Sequence, residues 1–214
     1  MKKIAVFGAG GFGREVHMII DQINQKKIKH EFIGYFDDTY EPGEIINDFP
    51  VLGGVHELNQ WSEPLEIVCA VGDPKDKKSI IENIKNENVS YPVLIHPTAL
   101  IGNMKFNSIG EGSIITAGVV VTVNIALGKH VILNLACTIG HNTRIGDYGS
   151  FMPTVNISGD VVIEKGVYVG TGAQIINKLT IGENTIIGAG AVVAETLPPN
   201  CTAVGMPAKP VKFH

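Results

Sequence analysis

Residues 109 to 197, written in blocks of six, read IGEGSI ITAGVV VTVNIA LGKHVI LNLACT IGHNTR IGDYGS FMPTVN ISGDVV IEKGVY VGTGAQ IINKLT IGENTI IGAGAV VAETL. Every block opens on a large apolar residue, from Ile109 through Phe151 to Val193. Hydrophobic residues make up 44% of the chain, so fifteen such openings in a row have a chance on the order of 10⁻⁵ or less in any one phase. The fifth residue of most blocks is small or β-branched, as at Ser113, Val119, Val131, Cys137, Thr143, Val155, Ala173, Thr185 and Ala191. The second is often Gly or Asn, as at Gly110, Gly128, Asn134, Gly140, Gly146, Gly170, Gly182 and Gly188. These second residues are assigned the positive φ of a sharp corner.

A period of six matches neither a 3.6-residue helix nor a hairpin sheet. It matches a coil of three short faces, each sending one bulky residue into a narrow shared core. Successive coils then pair at the usual strand spacing of about 4.8 Å. Fifteen blocks make five coils of three. A β-sandwich needs turns every eight to twelve residues and does not hold this phase. Ile95 and Ile101 suggest an earlier coil, with a phase slip of two residues and a small loop near Lys105–Ser108. Leu197-Pro-Pro and the later Met206-Pro-Ala-Lys-Pro are expected to end the regular coils, because proline cannot donate to a ladder.

Upstream of the repeat the pattern changes. Lys3–Phe7 reads as a buried strand, Phe12–Asn24 as an amphipathic helix, and Glu31–Phe36 as a second strand ending in Asp37-Asp38. Glu66–Val71 gives a third strand and Lys75–Lys85 a further helix, before Tyr91–Ile95 leads into the coils. Alternating strand and helix implies a small parallel α/β sheet. The expected organisation is an α/β half-Rossmann domain over residues 1–95 and an all-β parallel β-helix with a C-terminal tail over 96–214.

The 214 residues carry a net charge of −4, which provides no basic field for nucleic acid or an anionic membrane. Two lysines before an apolar run give Met1–Phe7 the look of a leader, but the run breaks at glycines and continues as a strand. No stretch has the length of a membrane-spanning helix, and the expected location is the cytoplasm. Cys69, Cys137 and Cys201 stand at unrelated spacings, with no metal-ligand pattern, and read as reduced thiols.

Gly8-Ala-Gly-Gly-Phe-Gly13 matches G-x-G-x-x-G, directly after a strand and before a helix. Missing side chains let the backbone approach a pyrophosphate, and the helix N-terminus supplies partial positive charge. Asp37 and Asp38 stand where carboxylates accept hydrogen bonds from a ribose or a base. A nicotinamide dinucleotide and a nucleotide sugar ask the same of the loop, and a turn binding nothing stays open. A single mononucleotide-binding half favours the smaller ligand and argues against an NAD-linked oxidoreductase. Most of the seven histidines have ordinary explanations: His17 lies on the first helix, His30 and His56 in polar loops, and His214 at the terminus. His141 differs because it follows a corner glycine and precedes an amide in Gly140-His-Asn142. A neutral imidazole suits general-base chemistry at pH 7. A plain surface histidine is the alternative.

The repeat, His141 at its corner and the ending Ala203-Val-Gly-Met-Pro-Ala-Lys-Pro-Val211 together resemble the left-handed β-helix acyltransferases. The added Gly8–Glu15 segment and Phe36-Asp37-Asp38 narrow this to the NeuD/PglD-like sugar acetyltransferases. The resemblance implies left-handed coils, a homotrimer, acetyl-CoA as co-substrate and no metal. It also implies a UDP-linked amino sugar held by Gly10, Gly11, Phe12, Asp37, Asp38 and Gly72. It places the catalytic base on His141, beside Asn142, and acetyl-CoA along the β-helix near Ser150, Gly159, Thr171 and Ala189.

Two positions depart from the family pattern. Some members follow the base with an acid, where this chain has Asn142; either an acid elsewhere assists the ring or the base is weaker. Some members have a histidine against the acetyl donor, where this chain has Ser150. The implied reaction is acetyl transfer to the amine of a UDP-linked 4-amino-dideoxy sugar. O-acetylation of a sialic acid or related sugar, and a non-enzymatic trimeric nucleotide-binding scaffold, are the alternatives.

Overall fold

The structure, a computed structural model, describes residues 1–214 and divides into two compact units, Met1–Pro97 and Thr98–His214. The first unit runs β1 (Lys2–Phe7), α1 (Gly11–Lys26), β2 (His30–Phe36), β3 (Ile45–Ile46), β4 (Phe49–Pro50), α2 (Val55–Asn59), β5 (Leu65–Cys69), α3 (Pro74–Asn83) and β6 (Val89–Ser90). Its parallel sheet has the order β2-β1-β5-β6. The chain moves to one side of β1 first and to the other afterwards, so the β1/β5 edge is a topological switch point. Central strand β5 is buried at every position, as a parallel strand covered on both faces must be. Helix α1 lays Val16, Ile19, Ile20 and Ile23 against the sheet, a 3–4 spacing that puts them on one stripe. Asp73 begins α3 by accepting from the N–H groups of Lys75 and Asp76, with Pro74 in the first turn where no N–H is needed.

Three elements of this unit lie outside the sequence reading: the β3/β4 hairpin, the one-turn α2 and the edge strand β6. Each is too short to show periodicity. His30, expected in a polar loop, instead opens β2 with Nδ1 3.0 Å from the buried Glu66 carboxylate.

The second unit is a parallel β-helix. One face stacks Ile114–Ile115, Ile132–Leu133, Ser150–Phe151, Tyr168–Val169 and Ile186–Ile187. A second stacks Leu100–Ile101, Val120–Val121, Thr138–Ile139, Asn156–Ile157, Gln174–Ile175 and Val192–Val193. The third runs from Ser108–Ile109 to Thr180–Ile181. Every block-opening residue from Ile115 to Val193 is buried, with Ile109 half-buried in the first coil. The phase slip is also real: Ile101 pairs with Val121, whereas Ile109 pairs with Leu127, and the surplus residues form a turn that Asn103 closes on the N–H of Lys105.

The fifth-position residues point inward, and the polar ones there stay satisfied. Ser113, Thr143 and Thr185 donate their hydroxyls to the carbonyls of Gly128, Ser158 and Pro198, and Cys137 donates its thiol to Met152 O. A small hydroxyl residue thus fills the space and answers a buried carbonyl in one step.

Two expectations are corrected. The left-handed corner falls on the fourth residue of each block, from Gly112 through Asn142 and Asp160 to Gly190, and not on the second. Bulkier residues such as Tyr148 and Lys178 tolerate that φ because the corner N–H is held by the preceding coil, as Asp160 N–H is by His141 O at 2.8 Å. The second-position glycines answer to crowding instead: a Cβ on Gly140 would meet Gly159 N and Ser158 C of the next coil at 2.6 Å. The coils also continue past Pro198-Pro199. Thr202 and Ala203 pair in parallel with Ile186 and Ile187, and Cys201–Gly205 then folds back against Ala208–Phe213. Pro198 takes a second position, whose N–H donates to the next coil elsewhere in the repeat, but the third face ends there and no further strand needs that donor. Pro210 sits in the final strand beside a register shift.

Candidate active site

In the first unit the Gly-rich segment, Asp37, Asp38 and Gly72 all lie just past the carboxyl ends of β1, β2 and β5. Gly8 takes φ +107°, and a Cβ on Gly13 would meet Gly8 O at 1.7 Å, so strand and helix are joined by a turn that admits no side chain at either position. Gly10 caps α1 without a side-chain partner, and the first helical hydrogen bond runs from Arg14 N–H to Gly10 O. The N–H groups of Gly11, Phe12 and Gly13 are therefore the orphan donors of the helix end. Open space surrounds Gly10, Gly11 and Gly72, and no acid lies in the first turn of α1. This end suits an anion.

Asp37 is already engaged. Its Oδ2 accepts from Ala9 N–H at 2.8 Å, and its Oδ1 accepts from the N–H and hydroxyl of Thr39. It holds the Gly-rich turn in place. Asp38 Oδ1 accepts from Val55 N–H at 2.8 Å, starting α2, which leaves Oδ2 at the exposed surface. Asp37, Asp38, Asp76, Ser79, Gly8 and Val71 line a cleft of about 390 Å³. Its acids favour hydroxyl and ring N–H donors, whereas the helix end favours anions.

In the second unit His141 and Asn142 occupy one corner of a coil. Asn142 takes φ +58°, which an amide residue accepts readily. Its Nδ2 stands 3.2 Å from His141 Nδ1 and 2.9 Å from Asp160 Oδ1, and its Oδ1 accepts from Asn124 Nδ2. Asp160 Oδ2 lies 3.9 Å from His141 Nδ1. An acid thus stands beside the ring, one 18-residue coil below Asn142. Spacing alone carried the signal, since 142 and 160 are one coil apart, but no residue type marked it. Gly159 forms the floor under the ring: a Cβ there would meet His141 Cε1 at 2.4 Å.

The four residues expected to contact acetyl-CoA are spread over two corners and one face. Thr171 and Ala189 are exposed at equivalent points of successive coils. Gly159 lies beneath His141, and Ser150 is fully buried in the column between Ile132 and Tyr168. Cys137, just before the strand Thr138–Ile139 that leads to His141, is buried, and desolvation pushes it up to about 11, so it offers no thiolate at neutral pH.

Residues 3–84 match the PglD N-terminal domain, and residues 160–195 match the bacterial transferase hexapeptide repeat. A GDP-perosamine N-acetyltransferase of Escherichia coli O157:H7 is 31% identical over 218 residues, which span 99% of this chain and 97% of that protein. The acetyltransferase domain of PglB from Neisseria gonorrhoeae FA1090, solved in complex with acetyl coenzyme A, superposes with a TM-score of 0.86 at 33% identity, covering 98% of this chain and 99% of the other. PerB from Caulobacter crescentus, solved with CoA and GDP-perosamine, gives 0.86 at 26% identity, with 99% and 98% covered. An α/β half-domain leading into a left-handed hexapeptide β-helix, matched over nearly the full length of these relatives, places the chain in the NeuD/PglD-like family of sugar acetyltransferases.

Proposed function

We propose that the protein transfers the acetyl group of acetyl-CoA to the amine of a nucleoside-diphosphate-linked amino-dideoxy sugar. The observation that carries this reading is the pairing, in one chain, of an open helix-end anion site at Gly10–Phe12 with a histidine whose ring meets Asn142 at a β-helix corner. The relatives solved with acetyl coenzyme A, CoA and GDP-perosamine support the same donor and acceptor class.

In this reading the N–H groups of Gly11 and Phe12 take the diphosphate, Gly10 and Gly72 leave it room, and Asp38 Oδ2 accepts from the ribose or base. Asp37 acts indirectly, by holding the turn. His141 removes the proton as the amine attacks the thioester carbonyl. A backbone N–H at a coil corner stabilises the oxyanion, and the CoA thiolate leaves. Asn142 holds the resting ring at Nδ1. The exposed corner at Thr171 and Ala189 carries the body of acetyl-CoA. Because Ser150 is covered, it supports the donor groove from within. The working assembly in this reading is a homotrimer, supported by Val123, Leu135 and Ile176, which leave apolar surface on the coils, and light scattering checks it.

The test is steady-state kinetics with acetyl-CoA and matched UDP- and GDP-linked 4-amino sugars. His141→Ala should lower kcat by roughly 10²–10⁴ without lowering Tm. Wild-type turnover in that variant removes His141 as the base. The ratio of kcat/KM for the two nucleotides identifies the base recognised at Asp38.

A further inference from the structure

Asn124, Asn142 and Asp160 are separated by one coil each, so their side chains form a column. Asn124 Nδ2 donates to Asn142 Oδ1 at 3.0 Å, and Asn142 Nδ2 donates to Asp160 Oδ1 at 2.9 Å. A carboxylate only accepts, which forces the nitrogen end of the Asn142 amide, not the oxygen end, toward Asp160. That same nitrogen stands 3.2 Å from His141 Nδ1. It therefore donates to Nδ1, and the neutral ring keeps its one proton on Nε2.

A ring protonated at Nε2 cannot take a proton there. Base action at Nε2 needs the other tautomer, and its Nδ1–H needs an acceptor. Asp160 Oδ2 is 3.9 Å away, about 1 Å beyond hydrogen-bond distance. The side chains of His141 and Asp160 are 58% and 40% exposed, so small rotations bring them together. Three other charged side chains belong to this corner region: Lys178, one coil beyond Asp160, Arg144, on the adjoining face, and Lys105, which lines a cleft with Asn124 and Arg144.

We infer that Asp160 is the positioning residue of the acyl transfer: its Oδ2 accepts Nδ1–H of His141 and holds Nε2 free as the base. This rests on the reading of His141 given above. In the step, the amine nitrogen forms a bond to the acetyl carbonyl carbon and the C–S bond breaks. The amine proton passes to Nε2, and the pair of electrons leaves with the thiolate. Asp160 stays ionised throughout and balances the imidazolium. His141 then returns its proton to the thiolate sulfur or to water.

Asp160→Asn tests this with little disturbance of the coil, because Asp160 sits at φ +60°, which Asn tolerates, and an amide oxygen still accepts from Asn142. Expected are a kcat lowered about tenfold or more at near-constant KM, and an acidic limb of kcat/KM displaced to lower pH. Asp160→Glu should recover part of the rate. Ring ¹⁵N shifts of His141 in the coenzyme-bound wild type should show Nδ1–H populated, and those of Asp160→Asn should show Nε2–H alone. Asp160→Gly, also compatible with this φ, repeats the rate test should the first variant unfold. Wild-type kcat and pH profile in a folded Asp160 variant, beside an impaired His141→Ala, overturn the assignment of Asp160 alone. Wild-type turnover in His141→Ala instead removes the base reading, and this inference with it.

Discussion

Gly159→Ala places one methyl group under the proposed base. The added Cβ would stand 2.4 Å from His141 Cε1, 2.5 Å from Nε2 and 2.8 Å from Nδ1. Ordinary carbon contacts lie at about 3.5–4.0 Å, so the ring must lift by about 1 Å or more. Gly159 adopts no left-handed φ, so alanine brings no backbone strain, and the displaced group is the outer end of a half-exposed side chain. The cost in stability is therefore small, while a shift of about 1 Å at a reacting group costs on the order of 10²-fold in rate. Acetyl transfer followed by release of free CoA thiol, with Tm from calorimetry, gives both quantities. Expected is a kcat lowered roughly 10²-fold at a Tm within about 2 °C of wild type. In a His141→Ala background the same substitution should cost nothing further, because no ring remains to be moved. Wild-type activity in Gly159→Ala refutes the placement of the reactive ring above Gly159.

Asp37→Ala removes the acceptor for Ala9 N–H and for Thr39. Hydrogen bonds to a charged group contribute about 1.5–3 kcal/mol, so KM for the nucleotide sugar should rise ten- to a hundredfold with KM for acetyl-CoA unchanged; equal rises in both contradict the assignment. Lys77 is fully buried, and desolvation lowers its ammonium to about 7 from the ordinary 10.5. The unfolded chain then binds more protons between those values, so Lys77 should make the urea midpoint climb as pH rises from 7 toward 10. Lys77→Met should flatten that climb, and an unchanged slope means that the charge is not penalised. Cys69 and Cys137, both buried and both raised to about 11 by desolvation, should resist alkylation at pH 8 until guanidinium is added. Rapid labelling of the native protein contradicts this burial.

The β-helix was legible because its constraint repeats. One bulky inward residue every six positions is demanded by a core too narrow for anything else, and fourteen buried residues from Ile115 to Val193 obey it. The corners were less legible. Positive φ falls where His130, Tyr148 and Lys178 stand, residues that do not advertise it, because the ladder of the previous coil holds the corner. The second-position glycines looked like corner residues but are small for the sake of the neighbouring backbone. In the first unit, β1, α1, β2, β5 and α3 were read from the sequence pattern, while the β3/β4 hairpin, α2 and β6 were not, being too short to repeat. At the site, Gly140-His141 drew attention through its neighbours in sequence. Asp160 could not, since its contact with Asn142 exists only once the chain has completed a full coil. The departure at Asn142 therefore looked like a missing acid, whereas Asp160 of the adjoining coil stands 3.9 Å from the ring.

The destination of the acetyl group is read directly by locating it in the product. Incubating the protein with acetyl-CoA and a nucleotide-linked 4-amino sugar, then fragmenting the product by tandem mass spectrometry, distinguishes amide from ester. A single acetyl group is expected on the sugar nitrogen, formed by wild type and greatly reduced in His141→Ala. Acetyl groups found only on oxygen, or no transfer from acetyl-CoA with either UDP- or GDP-linked amino sugar, contradict the proposed reaction.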